Sequence, residues 1–357
     1  MLKFHPLTVT DRRPVADDAV ALGFAIPPAL AAEFRHRAGQ HVAVRAVIGG
    51  QEERRTYSIV SPEGAPSLAI AFRVQPGGRM SQHLARAKPG DTLEVMTPNG
   101  SFQPRPQPPR ARRCAAFAAG SGITPVLSIA ATLLEREPDC RFQLYYGNTS
   151  AARTMLLDDV LALKDRFLPR FSACFVMSRE PQDVALFNGR IDGDKVREFA
   201  RLDLDVPGID EFFVCGPGTM AAQVQSALAD LGATGHVHIE HFASDAPARP
   251  QHAAAAAPRP TAVTDGVAVT VVMDGRRRNF TMAAGADVVL DAAERAGLDL
   301  PFSCRAGVCS TCRARLVSGS ATMEHNVALE EWEVEAGYIL CCQARPTSAA
   351  LEISYDE

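Results

Sequence analysis

Along the first hundred residues the apolar positions fall in short alternating runs, each closed by a turn former. HVAVRAVIGG, TYSIVSPEG, SLAIAFRVQPGG and DTLEVMTPNG all follow this pattern. Alternation with period two puts every second side chain on one face of a strand, and the Gly or Pro that follows supplies the turn. Residues 1–109 are therefore expected to form an antiparallel β-domain, closed as a barrel. A Pro-rich bridge, SFQPRPQPPRAR, comes next. Beyond residue 112 the pattern changes to apolar strands leading into helices. RRCAAFAAG runs into PVLSIAATLLERE and FQLYYGN into MLLDDVLALKDRF, followed by FSACFVMS, DEFFVCGPG and the helical AAQVQSALADLG. Strands alternating with helices predict a parallel, doubly wound α/β sheet over residues 110–243.

Periodicity then stops. Residues 244–264, SDAPARPQHAAAAAPRPTAVT, are rich in Ala and Pro. Such a segment buries too little apolar surface to fold and is expected to be a linker. It leaves a last segment, 265–357, as a domain of its own. A chain of 357 residues with 46% hydrophobic and 22% charged residues has the material for about two to three ordinary domains. Charge sharpens the division. From 265 onward there are 14 Asp and Glu against 8 Lys and Arg, while the whole chain carries −4. An acidic module is thus tethered to a mildly basic body, which favours docking within the chain or onto a basic partner. The net charge argues against nucleic-acid binding. Residues 114–134 hold no charge and reach membrane-spanning length. Gly-Ser-Gly and Thr-Pro in their middle fit a strand, a glycine turn and a buried helix better. The N-terminus shows no continuous apolar signal region, so a cytoplasmic protein without a membrane segment is expected.

Five of the nine cysteines lie between 304 and 342. Cys304, Cys309 and Cys312 have the spacing C-x4-C-x2-C, and Cys342 follows after 29 residues. A close thiolate triplet on one loop with a distant fourth thiolate is the arrangement that holds a plant-type [2Fe–2S] cluster. Ala306, Gly307 and Ser310 are small enough for backbone N–H groups to approach the sulfurs. The alternatives are a zinc site, which usually shows two CxxC pairs, or buried free cysteines. Cys341 and Cys342 are adjacent, and spacing alone does not choose between them. The odd count argues against a disulfide framework.

Four further segments carry candidate chemistry. In Arg55-Thr56-Tyr57-Ser58, on a predicted strand, the guanidinium suits a pyrophosphate, the ring a flat cofactor and the hydroxyl a ring nitrogen. Gly77-Gly78-Arg79-Met80-Ser81 precedes a helix and offers either an anion site or a plain turn with a Ser cap. Gly120-Ser121-Gly122-Ile123-Thr124-Pro125 is a strand–glycine–helix turn able to hold a dinucleotide pyrophosphate, although it is not GxGxxG. Cys215-Gly216-Pro217-Gly218-Thr219-Met220 again links a strand to a helix.

Taken in this order, these segments closely resemble the ferredoxin–NADP reductase superfamily, in the branch with a C-terminal plant-type ferredoxin domain of β-grasp fold. The strings RTYSI, EVMTPNGSF, AAGSGITP, YYGNTS, GRIDG, CGPGTM, SCRAGVCSTCRAR and ALEEWEVEAGYILCCQ most resemble the reductase components of phenylacetyl-CoA epoxidases. The resemblance implies FAD, a [2Fe–2S] cluster and NADPH, with NADH the alternative donor. Arg55 would hold the FAD pyrophosphate, Tyr57 would stack on the isoalloxazine, Ser58 would lie near its N5, and Gly78, Arg79, Met80 and Ser81 would add backbone contacts. Gly120, Gly122, Thr124 and Pro125 would hold the nicotinamide nucleotide, with Cys215, Gly216 and Pro217 beside the nicotinamide. Glu240 and Phe242 match the family's acidic-x-aromatic ending, and Phe242 would cover the flavin or simply close the domain core. Ser178 and Arg179 would bind a 2′-phosphate, helped by Arg153, unless Arg179 is a solvated residue beside Glu180. The family pattern favours Cys342 as the fourth cluster ligand, with Cys341 in the core.

The implied route is hydride from NADPH to the flavin, then single electrons to the cluster and on to a separate oxygenase component, expected to be a di-iron, multisubunit complex. No HExxH, no pair of ExxH motifs and no 2-His-1-carboxylate spacing stands out in this chain, so oxygen chemistry belongs to that partner. The linker is expected to let the ferredoxin domain swing between flavin and partner. A Rieske oxygenase, a steroid hydroxylase or a hybrid-cluster protein is the alternative acceptor. A non-enzymatic redox sensor or carrier is a third reading, opposed by the intact Arg55–Ser58 and Gly120–Pro125 segments.

Overall fold

Six antiparallel strands, β1 (Phe4–Ala16), β2 (Ala19–Ala25), β3 (His41–Ile48), β4 (Gln51–Ser58), β5 (Leu68–Arg73) and β6 (Thr92–Met96), make the first sheet, with helix α1 (Arg79–Leu84) between the last two. They lie in the order β4-β3-β6-β1-β2-β5. A bridge between Ile59 and Ile70 and a Val60 N–H to Ala69 carbonyl hydrogen bond of 2.8 Å bring the end of β4 back to β5, closing the sheet. Alternation decides what fills it. Val42 and Val44 of β3, Ile70 of β5, Leu22 and Phe24 of β2 and Val95 of β6 are fully buried, each worth about 1.5–3 kcal/mol. The computed structural model describes residues 3–106, 111–242, 266–283 and 287–356, so the predicted linker lies outside the described residues. The described residues form two compact units, Phe4–Glu240 and the C-terminal part.

Strand β1 is long and carries register shifts at Val9/Asp11 and Pro14/Ala16. Bulges bend a strand; here the pairing with β6 ends at Thr8, while the far half stays paired with β2 and reaches the next layer. There Leu156 donates its N–H to the Val15 carbonyl at 2.9 Å, and Arg13 grips Asp159 with two bonds of 3.1 and 2.6 Å. The barrel and the next layer are thereby packed as one unit.

That layer is a parallel sheet of β7 (Arg113–Ala119), β8 (Arg141–Asn148), β9 (Phe171–Met177), β10 (Glu211–Cys215) and β11 (His236–Glu240), with helices α2 (Ile123–Arg136), α3 (Leu157–Arg166), α4 (Gly193–Leu202) and α5 (Gly218–Asp230). The order is β11-β10-β7-β8-β9. The chain runs outward from β7 to β9, then returns to place β10 on the other side of β7. Ligands of such sheets bind outside the carboxyl ends of the strands at this reversal. The uncharged stretch 114–134 is β7, a short glycine turn and α2. Among the described residues no helix is long and apolar enough to cross a membrane. The opposite end of the sheet is locked by Glu211, whose carboxylate accepts from Arg112 at 2.7 Å, pairs with His238 at 2.7 Å and accepts from the Arg105 N–H at 2.9 Å. These partners hold Glu211 below the usual carboxylate range although burial opposes it. Deleting one member of a buried set costs about 3–5 kcal/mol, so this node fixes the sheet's base.

The C-terminal unit contains β12 (Val267–Met273), β13 (Arg276–Met282), β14 (Arg313–Ser318), β15 (Ala321–Met323), β16 (Tyr338–Leu340), β17 (Ala344–Pro346) and β18 (Ala350–Ser354), with α6 (Val289–Arg295) and α7 (Glu331–Glu335). Its sheet runs β13-β12-β18-β14-β16, with β12 and β18 parallel, and β15 pairs separately with β17. Val289, Leu290 and Ala293 of α6 share one core with Val269, Val271 and Ile353. A helix gripped by a mixed sheet is the β-grasp arrangement, and the loop from α6 to β14 carries the cysteine triplet.

Candidate active site and metal centre

The end of β4 brings Arg55, Thr56, Tyr57 and Ser58 to the barrel's open end. Glu53 is 5% exposed at its side chain and pairs with Arg55 at 3.0 Å and with Arg79 at 3.0 Å. One buried carboxylate thus aligns two guanidinium groups, leaving the cluster with one net positive charge, which suits a pyrophosphate. Arg79 also donates to Gln51 Oε1 at 2.7 Å and to the Ile48 carbonyl. The Tyr57 ring lies 5.2 Å from that of Phe72, and burial raises its phenol far above the ordinary value. Thr56 is half-buried and Ser58 buried, opposite His41 in the β3–β4 register. Gly78 precedes α1. Ser81 Oγ accepts from the Gln75 N–H at 3.0 Å and donates to the Gly78 carbonyl at 3.2 Å, so the hydroxyl staples the turn. The Met80 side chain fills the barrel core, leaving only its backbone for a ligand.

In the parallel sheet, Gly120 follows β7, and its φ of 54° is left-handed and costs a glycine nothing. The Tyr146 hydroxyl reaches the Gly120 carbonyl at 2.9 Å. Thr124 Oγ1 donates to the Ser121 carbonyl at 2.9 Å, and Pro125 sits in the first turn of α2, where a missing N–H is harmless. Gly122 lies against Cys215 at the end of β10, with no room for a β-carbon. Gly216 is similarly tight against Met220, and Pro217 leads into α5. The parallel register sets Cys215 beside Glu240, with the thiol donating to Glu240 Oε2 at 3.9 Å. Enclosure pushes the Glu240 carboxyl up to about 8, with the Cys215 thiol opposing the rise. Phe242 lies two residues past β11 and is half-buried.

Ser178 and Arg179 follow β9, and their N–H groups donate to the carbonyls of Asn148 and Thr149, both at 2.9 Å. This ties their loop to the carboxyl end of β8. Arg179 is exposed and makes no ion pair with a described residue. Glu180, its neighbour, accepts instead from the Ala151 N–H at 2.8 Å, and Arg153 is paired with Asp18 at 2.5 Å. Two residues that the sequence did not single out belong here. The Thr149 hydroxyl is buried without a hydrogen bond among the described residues, and the buried Asn148 amide lies beside the Tyr146 hydroxyl. A buried polar atom without a partner is costly, and Thr149 lies at the end of the sheet where a nucleotide would satisfy it. Only tertiary placement reveals them, because GNTS otherwise looks like a turn.

The cysteine loop is tightly wound, with positive φ at Arg305, Gly307 and Ser310. The winding brings four thiols together. Those of Cys304 and Cys309 are in contact, as are those of Cys312 and Cys342, and Cys342 also faces Cys304. The Ala306 N–H donates to Cys304 Sγ at 3.3 Å, the Thr311 hydroxyl lies 3.2 Å from Cys309 Sγ, and the Cys342 N–H donates to Cys312 Sγ at 3.5 Å. The Cys309 thiol, and then N–H groups of Ala306, Val308 and Cys309, pull Cys304 down to about 6. Cys341 and Cys342 lie in a turn between β16 and β17 rather than on an extended strand. The turn sends Cys341 into the core beside Tyr355, where burial pushes it up to about 12. Four converging thiols with N–H donors aimed at them fit a [2Fe–2S] cluster.

Three families match this chain in succession. The oxidoreductase FAD-binding domain family covers residues 6–103, the oxidoreductase NAD-binding domain family residues 117–226, and the 2Fe-2S iron-sulfur cluster binding domain family residues 271–347. The chain is 38% identical over 358 residues to a component of the 1,2-phenylacetyl-CoA epoxidase of Escherichia coli (strain K12), covering 100% of this chain and 99% of the relative. It is 28% identical to the ferredoxin reductase component of 3-ketosteroid-9-alpha-monooxygenase from Rhodococcus rhodochrous, covering 95% and 93%. Phthalate dioxygenase reductase shares the fold, with a TM-score of 0.58, 23% identity and 98% of each chain covered. So does a type IV self-sufficient cytochrome P450 monooxygenase, with a TM-score of 0.66, 19% identity, and 98% of this chain but 41% of that one covered.

A flavin domain, a nicotinamide-nucleotide domain and an iron–sulfur domain in one chain define an NAD(P)H-dependent oxidoreductase that delivers electrons to an oxygenase. The chain belongs to the ferredoxin–NADP reductase superfamily, in the branch with a C-terminal [2Fe–2S] domain that includes the phenylacetyl-CoA epoxidase reductase component.

Proposed function

We propose that this chain is the reductase component of a ring-1,2-phenylacetyl-CoA epoxidase, a cytoplasmic system of aerobic phenylacetate catabolism whose oxygenase is a multisubunit di-iron complex. The observation that carries the reading is the end-to-end 38% identity with the epoxidase component. When bound, FAD supplies the exchange between a two-electron hydride donor and a one-electron [2Fe–2S] acceptor.

In this reading the following residues would hold these groups. Arg55, aligned with Arg79 on Glu53, takes the FAD pyrophosphate, helped by the backbone from Gly78 to Ser81. Tyr57 would offer its ring to the isoalloxazine, and the Ser58 hydroxyl would serve its reactive edge. The turn from Gly120 to Pro125 would take the nucleotide pyrophosphate, with the Thr149 hydroxyl available to it and Asn148 alongside. Cys215 and Gly216 bound the nicotinamide, and Glu240 supplies a protonatable carboxyl beside Cys215. Phe242 is assigned to the flavin face by its place in the family's ending. Cys304, Cys309, Cys312 and Cys342 hold the cluster. No general base is needed for the hydride step; the protein supplies placement and electrostatics.

NADPH is the donor in this reading, because the exposed Arg179 guanidinium is free of ion pairs with described residues and suits a 2′-phosphate. Arg179→Gln is expected to raise KM for NADPH about 10–100-fold with little change for NADH, since charge-assisted bonds are worth about 1.5–3 kcal/mol. Equal KM changes for both nucleotides would remove the assignment.

Reconstitution tests the whole reading. The purified chain, NADPH and the oxygenase subunits should consume phenylacetyl-CoA. Failure there, with turnover of a 3-ketosteroid oxygenase, would favour the second reading, which rests on similarity across 95% of the chain to that system's reductase.

A further inference from the structure

Gln343 follows Cys342 in the turn before β17 and is 1% exposed. Its Nε2 donates to the Arg305 carbonyl at 3.0 Å and to Cys342 Sγ at 3.6 Å. Its Cγ packs close to Gly307, within 3.1 Å of where a β-carbon would sit. One amide therefore ties the turn bearing Cys342 to the loop bearing Cys304.

The loop needs that tie. Arg305 has a φ of 54°, a left-handed conformation that a non-glycine residue keeps only when its surroundings hold it. The Arg305 side chain is anchored to Asp291 at 2.8 Å and to Glu294, and its guanidinium lies 4.1 Å over the Phe302 ring. Gln343 secures the backbone side of the same residue. Its Oε1 is buried without a hydrogen bond among the described residues. An apolar side chain would fill this place without leaving a polar atom unpaired. The amide is thus explained by what its N–H groups do, and one of them points at a sulfur.

We propose that Gln343 is a positioning residue of the metal centre that sets the reduction potential of the cluster. The inference rests on Cys342 being a cluster ligand. An N–H directed at a ligand sulfur offsets negative charge, and the reduced cluster carries one electron more than the oxidised one. The donor therefore stabilises the reduced form more and raises the potential.

The test is an EPR-monitored redox titration of the full-length, FAD- and cluster-loaded protein. Gln343→Met keeps the side-chain length and removes the donor; Gln343→Glu keeps the shape and adds negative charge. The cluster midpoint is expected to move to more negative potential in Gln343→Met and further in Gln343→Glu, with the flavin potential unmoved. An intact cluster at wild-type potential in Gln343→Met overturns the proposal. If neither variant holds a cluster, wild-type protein grown with ¹⁵N-glutamine decides. Gln343 is the one glutamine between 265 and 357, so a ¹⁵N coupling to the reduced cluster in pulsed EPR is expected, and its absence overturns the proposal. Retention of the cluster in Cys342→Ser refutes the ligand reading and this proposal with it. Loss of the cluster there, with wild-type potential in Gln343→Met, refutes this proposal alone.

Discussion

A β-carbon placed on Gly122 would fall 2.0 Å from the carbonyl oxygen of Cys215 and 3.2 Å from its sulfur. The glycine turn after β7 and the end of β10 therefore touch through backbone, at the point where the strand order reverses. No rotamer change relieves a clash with a carbonyl, so Gly122→Ala must displace either the start of α2 or Cys215 itself. Misplacement of about 1 Å costs roughly 100-fold in a step that depends on alignment. Flavin reduction by NADPH is expected to slow by about that factor, with FAD content unchanged because the barrel is untouched. Stopped-flow bleaching of the flavin measures the first and the visible spectrum the second. A wild-type rate would show that Cys215 does not border the nicotinamide.

Glu53 sets up the second expectation. Its buried carboxylate holds Arg55 and Arg79, both at 3.0 Å, so the pair is preorganised rather than free in solvent. Removing one charge from a pyrophosphate site loses about 1.5–3 kcal/mol. Arg55→Gln is therefore expected to weaken FAD binding by about 10–100-fold, read from the fluorescence of flavin released on dilution. Retention equal to wild type would move the pyrophosphate elsewhere.

Much of this architecture was legible in the sequence because patterning and chemistry agreed. HVAVRAVIGG alternates, and its Val42 and Val44 are core. The strand–glycine–helix reading of 114–134 holds because Gly120 supplies a left-handed turn. Strands β1 and β2 were harder to see. FHPLTVTDRRPVA contains two prolines and a central polar run, TDRR, because its far half serves an interface with the α/β layer and not one core face. Thr149 was invisible for another reason: an unpaired buried polar atom is a property of packing. The adjacent cysteines show the same limit. An extended strand would have sent them to opposite faces, but a turn separates them, and turn geometry at Cys-Cys-Gln carries no composition signal.

That turn yields a pair of opposite outcomes. Cys342 shares its surroundings with Cys304 and Cys312, whereas Cys341 faces Tyr355 inside the core. Cys342→Ser is expected to abolish the visible spectrum of the cluster. Cys341→Ser is expected to keep that spectrum and to lose about 1–3 kcal/mol of stability, because a hydroxyl is buried where a soft thiol sat. Absorbance of the purified variants and chemical denaturation separate the two. A reversed pattern would assign the fourth position to Cys341.

Glu240 links the site to pH. Its carboxyl is raised from 4.5 to about 8 by enclosure, so the folded chain holds a proton near neutrality that the unfolded chain releases. The folded state therefore binds more protons than the unfolded between pH 4.5 and about 8, and stability must fall as pH rises through that window. Glu240→Gln removes the titration, so denaturation midpoints of wild type and variant should diverge from low pH to high, with wild type losing ground. The same group should shape the reaction. A carboxylate beside Cys215 favours the positive charge that develops on a nicotinamide as hydride leaves. The wild-type rate of flavin reduction is thus expected to rise as pH crosses about 8, while Glu240→Gln gives a flat profile across the same range. Rates that rise in parallel for both proteins would place the titrating group elsewhere and leave Glu240 with a purely structural part at the end of β11.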